Sequence, residues 1–129
     1  MMTVAPERSS SREEFGSIVS INSMTVSELI RYYSDKYGID PSLPLNVACA
    51  ESEMSPTATN PKSTAGGPFQ FLDGTWDTYC KGDKMNPRHN VMCGVRMISE
   101  GRISHWNESK YHGFGGGWTN SPYSKGKCK

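Results

Sequence analysis

Four cysteines in a chain of 129 residues, Cys49, Cys80, Cys93 and Cys128, limit its folding more than any other feature. In a small chain such a set favours an oxidising compartment and disulfides. Three pairings are possible. The expected one joins Cys80 to Cys93 across a short loop and leaves Cys49 to hold the C-terminal tail at Cys128. Closing that long loop would stabilise the fold by about 4 kcal/mol in the chain-entropy model. Two rivals are four reduced cysteines and a zinc site built on Cys80 with His89 and Cys93, which stand at i, i+4. No paired CxxC knuckle supports zinc, so neither a metal nor a cofactor is expected.

This length gives one domain with a modest core. Fourteen basic and thirteen acidic residues leave a formal charge of +1, so no global field argues for nucleic acid. Lys125, Lys127 and Lys129 form a basic tail that reads as solvated. No apolar run approaches the roughly 18 residues of a membrane helix, and the opening MMTVAPERSSSREEFGS lacks the apolar core of a secretory signal. That start reads as a linker, from a chain cut after a leader or within a larger protein. The expected division is a mobile leader over 1–23, with Phe15, Ile18, Val19 and Ile21 able to dock, and a monomeric helical domain over 24–129.

Within that domain, Thr25 or Ser27 can cap a helix over 26–37, with Val26, Leu29, Ile30, Tyr33 and Tyr37 on one stripe and Gly38 ending it. Asp40 is a fair N-cap for a second helix over 41–53, with Pro41 at its first position. Leu43, Val47, Ala50 and Met54 fall on one face of it, and Pro44 is tolerable in the first turn. A short helix over 74–79 follows, capped by Asp73 or Thr75 and anchored by Trp76. Asn86-Pro87-Arg88 then turns into a helix over 89–100, with Val91, Val95, Ile98 and Met92 as its stripe and Gly101 as its cap. A last short helix is expected over 103–111, before a glycine-rich stretch.

The chemistry gathers between Asn46 and Trp76. Glu51 lies at the margin of the buried face in the last turn of the second helix. Partial burial and the carbonyl end of the helix dipole both favour the neutral carboxyl, which a general acid needs near neutral pH. Glu53 points elsewhere, toward solvent. Met54-Ser55-Pro56 stops the helix and residues 57–65 form an irregular crossing loop. Gly66-Gly67-Pro68-Phe69-Gln70-Phe71 then makes a stiffened turn, where missing side chains let the backbone approach a cleft.

Glu51-Ser52 at a helix end, followed by Gly67-Pro68-Phe69-Gln70-Phe71, resembles the soluble lytic transglycosylases of the lysozyme-like class, over roughly residues 26–112. Together the two motifs are far more specific than either alone. The resemblance implies a mainly α, lysozyme-like fold with a cleft, acting on the glycan strands of bacterial peptidoglycan outside the cytoplasm or in a phage particle. It implies Glu51 as the catalytic residue, acting as acid and then base on the bond between N-acetylmuramic acid and N-acetylglucosamine to give 1,6-anhydro ends. Substrate-binding roles fall on Ser52, Gly67, Phe69 (packing on the saccharide), Gln70 (bonding an N-acetyl group or the catalytic carboxyl) and Tyr111. Tyr111 is the nearest counterpart of the family's third-motif tyrosine, although Lys110-Tyr111-His112-Gly113 departs from the Ala-Tyr-Asn-Ala-Gly pattern. Trp106 is a candidate for stacking on sugar or for the core.

Two other readings compete. A hydrolytic muramidase of goose or phage type would activate water with a second carboxylate, for which Asp73 and Asp77 are available. An inactive peptidoglycan-binding module would keep the fold without the chemistry. His89, His105 and His112 are scattered without an HExxH or a neighbouring nucleophile, and neither a GxSxG elbow nor a Walker loop is present.

Overall fold

Both halves of a capping box start the first long helix. In the computed structural model, which describes residues 21–106 and residue 128, Thr25 Oγ1 accepts from the Glu28 N–H at 3.2 Å. Glu28 Oε1 in turn accepts from the Thr25 N–H at 2.9 Å. Helix α1 (Val26–Tyr37) ends at Gly38 in the left-handed conformation, φ 74°. Val26, Leu29, Ile30 and Tyr33 are buried as their spacing predicts, and Tyr37 is half-buried.

Helix α2 (Ser42–Ser52) begins one residue later than expected. Asp40 Oδ1 accepts from the Ser42 N–H at 2.8 Å, so Asp40 caps from just outside the helix. Two hydrogen bonds from Ser42, backbone first and hydroxyl second, hold its carboxyl below the ordinary aspartate value. Pro44 lies in the first turn, where a missing N–H costs nothing. The expected single apolar face is not what forms. Leu45, Asn46, Val47, Ala48 and Cys49 are all buried, whereas Leu43 and Ala50 are half-buried. The helix lies against both α1 and the fourth helix and has little solvent side for a stripe to mark.

Helix α3 (Asp73–Tyr79) starts from Leu72 without a side-chain cap, so neither Asp73 nor Thr75 caps it. Trp76 anchors it as predicted, 5 % exposed, with its indole N–H donating to the Gly82 carbonyl at 3.1 Å. Helix α4 (Pro87–Ser99) has Asn86 as N-cap, whose Oδ1 accepts from the Arg88 and His89 N–H groups, and Pro87 in its first turn. Val91, Val95 and Ile98 are buried with Cys93, Gly94 and Met97, and Met92 is half-buried. Helix α1 lies mainly along α4. A 3-10 turn over Ile103–Trp106 follows α4, and the rest of the expected last helix lies outside the described residues, as do residues 1–20 of the leader expected over 1–23.

Among the described residues there is no strand, only isolated antiparallel bridges from Thr59 to Gly66 and from Gly66 to Phe71. The disulfides join Cys49 to Cys128 and Cys80 to Cys93, the expected connectivity. Pairing Cys80 with Cys93 removes the zinc alternative, and His89 Nδ1 instead accepts from the Asp83 N–H at 3.0 Å. No helix among the described residues is long and apolar enough to cross a membrane.

Candidate functional site

Helix α2 delivers Glu51 in its last turn, half-buried. The chain then turns away sharply. Glu53 (φ 54°) and Met54 (φ 67°) are consecutive non-glycine residues in the left-handed region, each costing roughly 1–2 kcal/mol in side-chain crowding. The Glu53 N–H returns to the Cys49 carbonyl at 2.9 Å, closing the helix behind Glu51. Ser52 Oγ donates to the Ala48 carbonyl at 3.1 Å, so the hydroxyl hydrogen is spent inside the helix and only lone pairs remain for a ligand.

The crossing loop folds back on itself through the Asn60 N–H to the Ala65 carbonyl (3.2 Å) and the Lys62 N–H to Asn60 Oδ1 (2.8 Å). It hands over to a tight turn. Gly66 and Phe71 exchange both backbone hydrogen bonds at 3.1 Å, and the Gln70 N–H donates to the Gly67 carbonyl at 3.0 Å. Two residues in this turn have positive φ, Gly67 at 79° and Gln70 at 52°. A left-handed glutamine is uncommon and points to a geometry imposed by its surroundings.

Its side chain explains the constraint. Gln70 Nε2 donates to the Ala58 carbonyl at 3.2 Å and to the Gly67 carbonyl at 3.0 Å. Both amide hydrogens are thus committed to backbone, and the group left to serve a ligand is the acceptor oxygen Oε1. Glu51 and Gln70, 19 positions apart in sequence, line one cavity of about 180 Å3. Among the described residues, Phe71, Leu72, Thr75, His105 and Trp106 also line it. A larger open groove of about 760 Å3 runs beside α1 and α2, past Arg31, Asp40 and Leu45, and neither Glu51 nor Gln70 lines it.

Two expectations about the turn need correction. Phe69 is fully buried, with its ring edge-on to Trp106 at 5.8 Å and Gly94 of α4 behind it, so it offers a saccharide no surface. Gly66 and Gly67 do not open the cleft. A Cβ on Gly67 would lie 2.1 Å from Asn90 Nδ2, and one on Gly66 would lie 2.7 Å from Met85 Sδ. The glycines let the turn sit against the start of α4 instead. Phe71 is also core, edge-on to Trp76 at 5.3 Å and to Trp106 at 5.8 Å. Trp106 is 5 % exposed, so it belongs to the core while also lining the cavity.

Tyr111 lies outside the described residues. Asp73 and Asp77 are exposed on α3 and neither lines the Glu51 cavity. Leu72, Thr75 and His105 were not named as site residues from the sequence. Leu72 carried the clearest signal, a leucine directly after the Gln70 motif that is 49 % exposed at the cavity rim. His105 had none, because its place depends on how the chain leaves α4, where its ring meets Tyr79 edge-on at 5.0 Å.

Compared with known proteins, residues 28–113 match the transglycosylase SLT domain family. No curated protein and no solved structure matches the chain. The match spans more than half of the sequence and takes in the Glu51 helix end, the Gly66–Phe71 turn and both walls of the cavity between them. A mainly helical, disulfide-tied domain with this match belongs to the transglycosylase SLT family, whose lysozyme-like domains act on peptidoglycan.

Proposed function

We propose that this domain cleaves the β-1,4 bond between N-acetylmuramic acid and N-acetylglucosamine in peptidoglycan, with Glu51 as the single catalytic carboxyl. The observation that carries this reading is the cavity that Glu51 shares with Gln70, in which no second carboxylate stands among the described lining residues. Glu51 first gives its proton to the glycosidic oxygen as the bond from C1 to that oxygen breaks through an oxocarbenium-like state, assisted by the substrate's own N-acetyl oxygen. The resulting carboxylate then takes the proton of the muramic 6-hydroxyl while O6 bonds to C1. Glu51 ends protonated, and the product carries a 1,6-anhydro ring.

Placement of Glu51 suits the first half of this cycle. It is half-buried in the last turn of α2, on the wall of the cavity that Gln70 also lines. Gln70 Oε1 can accept from that acid or from a sugar amide N–H. The cavity is smaller than the roughly 300–1,000 Å3 of most ligand clefts, which suits the reacting sugar alone, the strand continuing over open surface past Leu72. A cell-wall substrate and two disulfides suit a location outside the cytoplasm, in the periplasm, at the wall, secreted or in a phage particle.

Mass spectrometry of fragments released from purified peptidoglycan tests this reading. Anhydro-muramic ends are expected. Reducing ends would mean that water attacks and that the chain is a hydrolytic muramidase. No fragments would favour a binding module.

A further inference from the structure

We infer that Asn90 and Trp106 are positioning residues that lock the turn carrying Gln70, an inference that rests on the glycan-cleaving reading above. Phe69 precedes Gln70, and both of its backbone groups are held by side chains from distant parts of the chain. Its N–H donates to Asn90 Oδ1 at 2.9 Å, and its carbonyl accepts the Trp106 indole N–H at 3.0 Å. Asn90 Nδ2 also donates to the Gly66 carbonyl at 3.1 Å and to the Lys84 carbonyl at 2.9 Å. Asn90 is fully buried in α4 and spends its whole amide on backbone. A buried polar side chain with every group satisfied fixes one geometry strongly, because each alternative leaves a group unpaired in a dry interior.

The turn cannot hold this geometry by itself. Gln70 is left-handed, which a glutamine does not favour, and its amide orientation depends on the Gly67 carbonyl staying in place. The two peptides flanking Phe69 are held by Asn90 at the N–H and by Trp106 at the carbonyl, and their position sets where the Gln70 side chain enters the cavity it shares with Glu51. Nothing about Asn90 touches the cavity, so its effect on chemistry passes through the turn. The absent side chain of Gly67 is the counterpart of the same lock, since any Cβ there would displace the Asn90 amide.

Trp106→Phe tests the lock by keeping an aromatic ring and removing the indole N–H. The Gln70 side-chain amide signals in a nitrogen–proton spectrum should shift and exchange faster with solvent. Turnover on purified peptidoglycan should fall by about ten- to a hundredfold, as displaced catalytic groups do, with KM moving less than twofold. Adding Gln70→Ala to Trp106→Phe should cost no more than Gln70→Ala alone, because the two act as one unit. Should that variant not fold, the parent still decides, since a Trp106 indole proton exchanging as fast as an exposed one overturns the lock. Unchanged Gln70 signals and unchanged turnover in Trp106→Phe also overturn it, as do losses that simply multiply. A parent inactive on peptidoglycan overturns the glycan-cleaving reading itself, whatever the amide signals do.

Discussion

Lys84 Nζ lies 2.5 Å from Oδ1 of Asp73 and also donates to the Thr64 carbonyl. Asp73 stands two residues after the Gln70 motif and would be the natural second acid of a hydrolytic site. Its carboxylate instead helps tie the crossing loop to the start of α3, with the Asp73 N–H donating to Thr64 Oγ1 at 3.0 Å. This arrangement bears on whether one carboxyl or two do the chemistry.

Asp73→Asn and Asp77→Asn should each leave fragment release from peptidoglycan within about threefold of the parent. The Asp73 side chain is 65 % exposed, so loss of its ion pair should cost stability no more than about 1 kcal/mol. A hundredfold loss of turnover in a folded Asp73→Asn or Asp77→Asn protein would identify a second catalytic acid.

Two glycine-to-alanine changes should have opposite signs. A Cβ on Gly94 would lie 2.6 Å from the Phe69 ring, and that ring is boxed in on its far side by Trp106. Overpacking of this kind costs about 1–3 kcal/mol, more than the roughly 1 kcal/mol that alanine returns in helix propensity. Gly74, in the first turn of α3, has nothing within 4 Å of an added Cβ. Gly74→Ala should therefore be neutral or stabilising by up to about 1 kcal/mol. Urea unfolding of both variants reads the two signs directly.

Removing the Cys49–Cys128 bond with Cys128→Ala should lower unfolding free energy by about 4 kcal/mol, as the chain-entropy model gives for so long a loop. The separation is 79 residues, against 13 for Cys80–Cys93, for which about 3 kcal/mol is expected. Activity under strongly native conditions should persist in Cys128→Ala. The end of α2 behind Glu51 is closed by the Glu53 N–H to the Cys49 carbonyl, a backbone bond that the substitution leaves in place.

Asp40 should make stability depend on pH at the acid end. Its folded carboxyl is held below the ordinary aspartate value by the Ser42 N–H and then the Ser42 hydroxyl. A depressed carboxyl stabilises fully above the unfolded value and loses that contribution as pH falls through the folded one. Asp40→Asn should thus be less stable than the parent at neutral pH, with the gap closing below about pH 4. Added salt should also narrow it, because the group is exposed.

Local signals made much of this fold legible. Thr25 and Gly38 act within a few residues of themselves, and α1 begins and ends where they place it, whereas α4 starts at Pro87, two residues before the expected 89, because the side chain of Asn86 caps it directly. Helix α2 defeated the reading by periodicity because it is flanked by two other helices. With Leu45, Val47, Ala48 and Cys49 all buried, no face is left polar enough to set a phase. The turn was legible as a turn but not in its reasons. Gly67 must be glycine because of Asn90, and Phe69 is core because of Gly94 and Trp106, partners 23 to 37 positions away. Glu51 and Gln70 could be read from their motifs, whereas His105 reaches the same cavity only through tertiary structure.

Fragment release from purified peptidoglycan by the parent and by Glu51→Gln, with both shown to fold alike by circular dichroism, tests the central claim most directly. Glutamine keeps the size and shape of the side chain but can neither give nor take the proton. The account predicts anhydro-ended fragments from the parent and a fall of about a hundredfold or more in the variant, the range of a lost general acid–base. An active parent whose Glu51→Gln variant retains its rate would contradict it and place the chemistry elsewhere.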